Sequence, residues 1–313
     1  HDIYQNKAAK HADAELHVTG GYDMFTMEQW DDVVSKVTRR LPLEGKLHVH
    51  ECGCGSGAFI GSLKKQHPEI TLSGVDYVQA LVDIANKRLG TGEGEPAFKQ
   101  GDIRSLPFLD DNFTDRTVSF GVFQYLNSAD DARKATEEMF RITKPGGSIA
   151  IMEVSDSARE QVAVDLRKKT HGANYDSVQA AKPPNESHLY LPKRMFTDIA
   201  ARHGATVDIV DHTDMGIDYP TATYRFAAYF TLPSDPPTSS SVPHHEVIVD
   251  IEEVHPRDTS SLPHQEIHPK DTPLPSSRNG HNRRFHSPVL DTSILESAIT
   301  THRADSLSTD GFD

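Results

Sequence analysis

The sequence predicts an α/β chain: a doubly wound, seven-stranded, mostly parallel sheet with helices on both faces, followed by a disordered C-terminal tail. Three observations predict it. From about residue 46 onward, short apolar runs alternate with amphipathic segments, the rhythm of strand–helix–strand units whose crossovers cover both faces of a sheet. A glycine-rich turn, Gly53-Cys54-Gly55-Ser56-Gly57, closes the first apolar run and opens a helical one. Near Pro233 the composition changes abruptly to Ser, Thr, Pro and His without hydrophobic periodicity. Such a stretch has too little apolar surface to offset its chain entropy.

The elements follow in order. Met27 to Leu41 places Trp30, Val33, Val34 and Val37 on one helical face, and Pro42 ends it. Strands are expected at 47–51, 70–76, 97–102, 117–121 and 148–154, with helices at 58–66, 78–89 and 129–142 between them. A helix at 192–203 and strands at 206–211 and 224–232 complete the sheet; the last two form a hairpin-like pair that puts an antiparallel strand at the edge. The organisation is therefore an N-terminal helical or lid region (1–45), a sheet domain (46–233) and the tail (234–313).

Charge and cysteine content narrow the function. The 313 residues carry a net charge of -14, which repels phosphate backbones and disfavours nucleic acid as a partner. No apolar run approaches the ~20 residues of a membrane span, so no membrane partner is expected. The two cysteines, Cys52 and Cys54, are one residue apart, which makes neither a disulfide framework nor a zinc site. No metal is expected, and the reading is of a reducing, cytoplasmic compartment. In the tail, Glu253-Val254-His255-Pro256 is echoed by Glu266-Ile267-His268-Pro269, a candidate docking arm for a protein partner. Thr272-Pro273 and Ser287-Pro288 are candidate phosphorylation sites there.

The chemistry concentrates at the glycine turn. Glycines let the backbone bend tightly and let a ligand approach the main chain, and the helix that follows offers free amides. Asp76 ends the second strand 19 residues past Gly57, where a carboxylate can accept hydrogen bonds from ribose hydroxyls. Gly101-Asp102-Ile103 follows the third strand as a short acidic turn, and Lys144-Pro145-Gly146-Gly147 precedes the fifth.

In this order and spacing, the run from about Lys46 to Val154 resembles the class I S-adenosylmethionine (SAM)-dependent methyltransferases. Glu51 to Gly57 resembles their first motif, Asp76 their ribose-binding acid, and Gly101-Asp102-Ile103 their adenine-side motif. Ser119 to Leu126 resembles the segment that closes over the methionine end. The resemblance implies a Rossmann-like methyltransferase fold and SAM as cofactor, bound by Glu51, Gly53, Cys54, Gly55, Gly57, Asp76, Tyr77, Asp102, Ile103, Phe120 and Gly121. It implies methyl transfer to a small-molecule acceptor at an N, O, C or S atom by in-line displacement. Two departures are Glu51, where many members have aspartate, and Gln124, where relatives often hold histidine.

Candidate catalytic or acceptor-contacting residues are His188, in the insertion 170–191 with His171, Tyr175 and Tyr190, together with Gln124 and Tyr125. Tyr22, Trp30 and Glu153 are further candidates for the pocket wall, and Asp115 reads as structural. Two alternatives stand beside this reading: a non-catalytic SAM-binding module acting through its tail, and a nicotinamide-dependent dehydrogenase. Against the second, the glycines are spaced one apart throughout, without the two-residue gap of the dinucleotide fingerprint.

Overall fold

The computed structural model describes residues 14–90, 97–172, 175, 177 and 188–234. The tail beyond Ser234, residues 1–13, most of the insertion 170–191 and the side chain of His171 lie outside the described residues.

Seven strands form one sheet in the order β3-β2-β1-β4-β5-β7-β6. They are β1 (His48–Cys52), β2 (Thr71–Asp76), β3 (Phe98–Gln100), β4 (Thr114–Phe120), β5 (Thr143–Ser155), β6 (Thr206–Asp211) and β7 (Arg225–Thr231). The helices are α1 (Leu16–Thr19), α2 (Met27–Thr38), α3 (Ala58–Gln66), α4 (Gln79–Leu89), α5 (Ala129–Ile142), α6 (Glu160–His171) and α7 (Lys193–Arg202). Strands β1 to β5 pair in parallel, and β7 is antiparallel to both β5 and β6. The order reverses between β1 and β4, the kind of switch point at which open α/β sheets bind ligands.

The local reasons are legible. Thr26 and Gln29 make a reciprocal capping box that starts α2: Gln29 N donates to Thr26 Oγ1 at 3.2 Å and Thr26 N donates to Gln29 Oε1 at 2.9 Å. Its expected face, Trp30, Val33, Val34 and Val37, is buried. The helix stops at Thr38 rather than Leu41, where Thr38 Oγ1 bonds back to Val34 O and the chain must leave the helical region before Pro42. Ser128 caps α5 by accepting from Asp131 N.

Two apolar cores lie against the sheet, one built on Trp30, Phe59 and Phe120, the other on Phe123, Met139 and Phe196. Along β5 the residues alternate between them: Ile149 and Ile151 join the second core, Ala150 and Met152 the first. At Glu153, with φ +63°, the alternation inverts and Val154 joins the second core. The pairing advances from Ile151↔Ala228 to Val154↔Phe226, so β5 carries one extra residue there, a β-bulge.

Two expectations are corrected. The antiparallel strand, β7, is not at the edge: it sits between β5 and β6, and β6 forms the edge. The Lys144 to Gly147 turn is absorbed into β5, which begins at Thr143 and kinks at Gly146 (φ +72°), with the pairing to β4 skipping from Thr114↔Thr143 to Arg116↔Ser148.

Candidate functional site

Val75 O draws the glycine turn against β2 by accepting from Gly53 N at 2.7 Å and Cys54 N at 2.9 Å. Gly53 and Gly57 have φ of +83° and +86°, and a Cβ on either would strike Val122 at 2.3 Å or Leu89 at 2.5 Å. The left-handed backbone is what favours glycine at both, and at Gly53 the overlap with Val122 adds to it. Gly55 differs: at φ +51° a Cβ would meet nothing nearer than Leu81 Cδ1 at 4.0 Å, so this face of the turn is open to a ligand. Cys54 buries its thiol against Gly74, which leaves only its main chain to offer a ligand.

Asp76 ties the second strand to this turn. Its Oδ2 accepts from Gly55 N at 2.8 Å and its Oδ1 from Val78 N at 2.9 Å, just ahead of α4. The Tyr77 amide also favours the carboxylate, and the four lone-pair sites of its two oxygens leave room for a further donor. Burial raises the Asp76 carboxyl above its usual range, and the amides of Val78 and Gly55 oppose that. Glu51 lies deeper, 1% exposed, and its Oε2 is buried without a hydrogen-bond partner. Burial and then the nearby Asp76 push its carboxyl well above the usual carboxylate range.

On the adenine side of the expected site, Tyr77, Gln100, Gly101 and Asp102 line a cleft of about 280 Å³. Asp102 is committed to Arg104, which reaches it through Nε at 2.9 Å and bridges on to Asp131 at 2.9 Å. Arg104 holds the Asp102 carboxyl below its usual range. Ile103 is buried in the second core.

On the other side of the switch point, Phe120 stacks on Phe59 (centroids 5.0 Å apart) and meets Trp30 edge-on. Gly121 follows at φ +71°, and a Cβ there would strike only the Tyr22 hydroxyl, at 2.4 Å. Tyr22 in turn stacks on Trp30 at 4.4 Å. The N-terminal segment therefore covers the carboxyl end of β4. Burial, then Glu153, raises the Tyr22 phenol well above its usual pKa, so it keeps its proton.

The three candidate catalytic residues come together. Gln124 donates through Nε2 to Gly121 O at 2.9 Å and accepts Leu189 N on its main-chain oxygen at 2.9 Å. The Tyr125 ring meets His188 edge-to-face at 5.2 Å. Asp115 plays the structural role read for it, joining His48 N and Lys144 Nζ, each at 2.8 Å.

A group that the sequence reading reached only in part lies beside them. Glu153, 2% exposed, ion-pairs with Arg225, and its Oε1 lies 2.9 Å from His212 Nδ1. Burial opposes ionisation of Glu153, but Arg225 and His212 overcome it and hold the carboxyl below its usual range. Holding a non-glycine residue at positive φ costs on the order of 1–3 kcal/mol. A buried hydrogen-bonding atom left unmatched costs about as much again. Arg225 was legible in principle, as a lone charge within the apolar run Tyr224 to Phe230. His212 had no such signal.

Residues 50–151 match the family model described as a methyltransferase domain. Over that segment the chain is similar to methyltransferases. A demethylmenaquinone methyltransferase from Lactobacillus johnsonii is 29% identical over 50% of this chain and 60% of its own length. One from Deinococcus radiodurans is 31% identical over 34% of this chain and 42% of its own length. The chain thus spans less than two thirds of these curated relatives. Among solved structures, a SAM-dependent methyltransferase from Methanosarcina mazei aligns with a TM-score of 0.42 at 16% identity, covering 62% of this chain and 95% of that one.

The residues present fit SAM. Glu51 Oε2 is a buried acceptor with no donor, as an ammonium requires, and Gly55 leaves main chain that a ligand can approach. Among the described residues, no helix is long and apolar enough to cross a membrane and no cluster of His, Cys, Asp or Glu is arranged to hold a metal ion.

Proposed function

We propose that this chain transfers a methyl group from SAM to a small-molecule acceptor that carries an electron-rich ring. The observation that carries the proposal is the pairing of a buried carboxyl oxygen without a donor, Glu51 Oε2, with an open glycine, Gly55, that Asp76 holds in place.

Each residue then has a task. Glu51 accepts from the cofactor's ammonium, and the turn at Gly53 to Gly57 receives its carboxylate at the start of α3, where amides are free. Asp76 uses its remaining lone pairs on the ribose hydroxyls. Tyr77, Asp102 and Ile103 border the adenine, and Phe120 and Gly121 line the methionine end. The bound cofactor supplies a methyl group already activated on a sulfonium. The protein's work is to align the acceptor and exclude water, which the cover formed by Tyr22 and Trp30 suits.

Two considerations favour a ring carbon as the nucleophile. The side chains against Gly121 are the Gln124 amide and the protonated Tyr22 phenol, and neither is a base at neutral pH. An acceptor whose proton leaves only after the new bond forms needs no base at the moment of attack. Curated relatives bear the name demethylmenaquinone methyltransferase, which supports an acceptor of the quinol type. The domain limits 46–233, with 1–45 as cover, belong to the same proposal, as does a protein partner for the tail.

The test is calorimetric titration of the full chain with SAM, S-adenosylhomocysteine and NAD, followed by transfer of labelled methyl to a panel of quinols and phenols. Binding of NAD in place of SAM would overturn the proposal. Tight SAM binding with no transfer to any ring acceptor would leave a binding module.

A further inference from the structure

Buried polar atoms without partners gather next to the covered end of β4. Arg225, 7% exposed, gives one terminal nitrogen to Glu153, but its Nε is buried with no acceptor. Ser155 faces Arg225 directly across the β5–β7 ladder, and its Oγ is fully buried with no partner. Residues opposite in register share a face of the sheet, with their Cβ atoms about 5 Å apart. Gln124 Oε1 is a third such atom, on a side chain whose other end is fixed to Gly121. Native proteins carry few buried groups of this kind, and those they keep call for an explanation.

Their location supplies one. Leu191 N bonds to Ser155 O, and Leu189 N to Gln124 O, so one segment binds both. The Tyr22 phenol lies within electrostatic reach of Glu153, Arg225 and Tyr125. The bulge that puts Glu153 at positive φ is what pairs it with Arg225. A guanidinium so paired stays charged where it would otherwise be too costly to bury, and what it has left to offer is a donor.

We infer that Arg225 Nε and Ser155 Oγ form an oxygen-recognition subsite for the methyl acceptor, which would therefore carry a phenolate, enolate or ring-carbonyl oxygen. Glu153 acts through Arg225 as a positioning residue. The inference rests on the methyltransferase reading and narrows its acceptor class.

The test uses the full chain saturated with S-adenosylhomocysteine. 4-Nitrophenol is titrated by visible absorbance, with nitrobenzene as the analogue lacking the oxygen. The wild-type protein should bind nitrophenol at least tenfold more tightly than nitrobenzene and raise the phenolate fraction of the bound probe. Ser155→Ala should weaken nitrophenol binding threefold or more while its Tm holds or rises, because an unmatched buried hydroxyl is removed. A purely structural Ser155 predicts no change in binding. Because Arg225→Met alone strands a buried carboxylate, the double variant Arg225→Met/Glu153→Leu is the folding-safe partner. It should bind the two probes equally and leave the probe's spectrum unshifted. Equal affinity of the wild type for the two probes, or unchanged binding in Ser155→Ala, overturns the inference. Failure of the wild type to bind S-adenosylhomocysteine overturns instead the reading on which it rests.

Discussion

Replacing Glu51 by Gln should move cofactor affinity and stability in opposite directions. In the free protein, burial and the neighbouring Asp76 raise the Glu51 carboxyl well above its usual range, so it holds its proton far above the ordinary pKa of about 4.3. A ligand ammonium favours the carboxylate, so binding expels that proton. Affinity for SAM should therefore rise with pH from about pH 4.3 up to the raised pKa of the free protein, and release should approach one proton per site over that window. Hydrogen bonds to charged groups are worth roughly 1.5–3 kcal/mol and neutral ones about 1. Glu51→Gln should thus cost about 1–2 kcal/mol of binding, a factor of roughly 5–30 in Kd. Stability runs the other way. A raised folded-state pKa gives stability that is complete below about pH 4.3 and is lost as pH rises through the folded value. The Gln variant, spared this loss, should melt above the wild type at pH 8. Calorimetry in two buffers of different ionisation enthalpy counts the protons, and a melting series across pH gives the second arm. Unchanged Kd with no proton exchanged on binding would refute the placement of Glu51 at the ammonium.

Three further outcomes are expected. Gly53→Ala combines a positive φ with a 2.3 Å overlap on Val122, so it should cost about 2–5 kcal/mol in denaturant titration, and adding Val122→Ala should recover only the overlap share. Glu153→Gln should destabilise at neutral pH by about 3–5 kcal/mol by leaving Arg225 unpaired; since the Glu153 pKa is lowered, that contribution is present above about pH 4.3 and fades as pH falls, so wild-type and variant Tm should converge in acid. Ending the chain after Ser234 keeps the bonds Leu232 N to Gly147 O and Gly146 N to Pro233 O, so SAM affinity should stay within about twofold by calorimetry; a larger loss would place part of the site in the tail.

The sheet was legible because its signals are local. Period-two apolar runs and glycine turns are written in neighbouring residues, and the expected helices at 58–66 and 129–142 coincide with α3 and α5. What escaped is non-local. Whether β7 inserts between β5 and β6 depends on which pairing buries more surface, and the hairpin pattern of 206–232 is compatible with either order. The bulge at Glu153 is invisible because nothing in Ile151-Met152-Glu153-Val154 marks an extra residue; it exists only relative to Ala227 on the opposite strand. The partner of Glu153 is 72 residues away, and His212 reaches it from a turn after β6.

Charge, more than loop shape, separates the two cofactors that such a turn can serve. The start of α3 would suit a pyrophosphate on backbone geometry alone, through free amides and the positive end of the helix dipole. Yet two acidic side chains, Glu51 and Asp76, sit at this turn, and burial followed by the Asp76 charge keeps Glu51 above its usual range. Unit charges about 5 Å apart near a protein surface interact by roughly 3 kcal/mol, more than a helix terminus returns at about 0.3–2 kcal/mol. Each phosphate brought here would therefore lose more to the Asp76 carboxylate than it gains from the helix, whereas a ligand bearing an ammonium and a sulfonium reverses the sign of the larger effect. The same reasoning makes neutralisation informative. With Glu51→Gln and Asp76→Asn combined, SAM binding should fall steeply and the turn's aversion to anions should relax, so weak inorganic pyrophosphate binding should emerge in the variant. If pyrophosphate binds the wild type as well as the double variant, the selectivity of this turn does not come from its carboxylates.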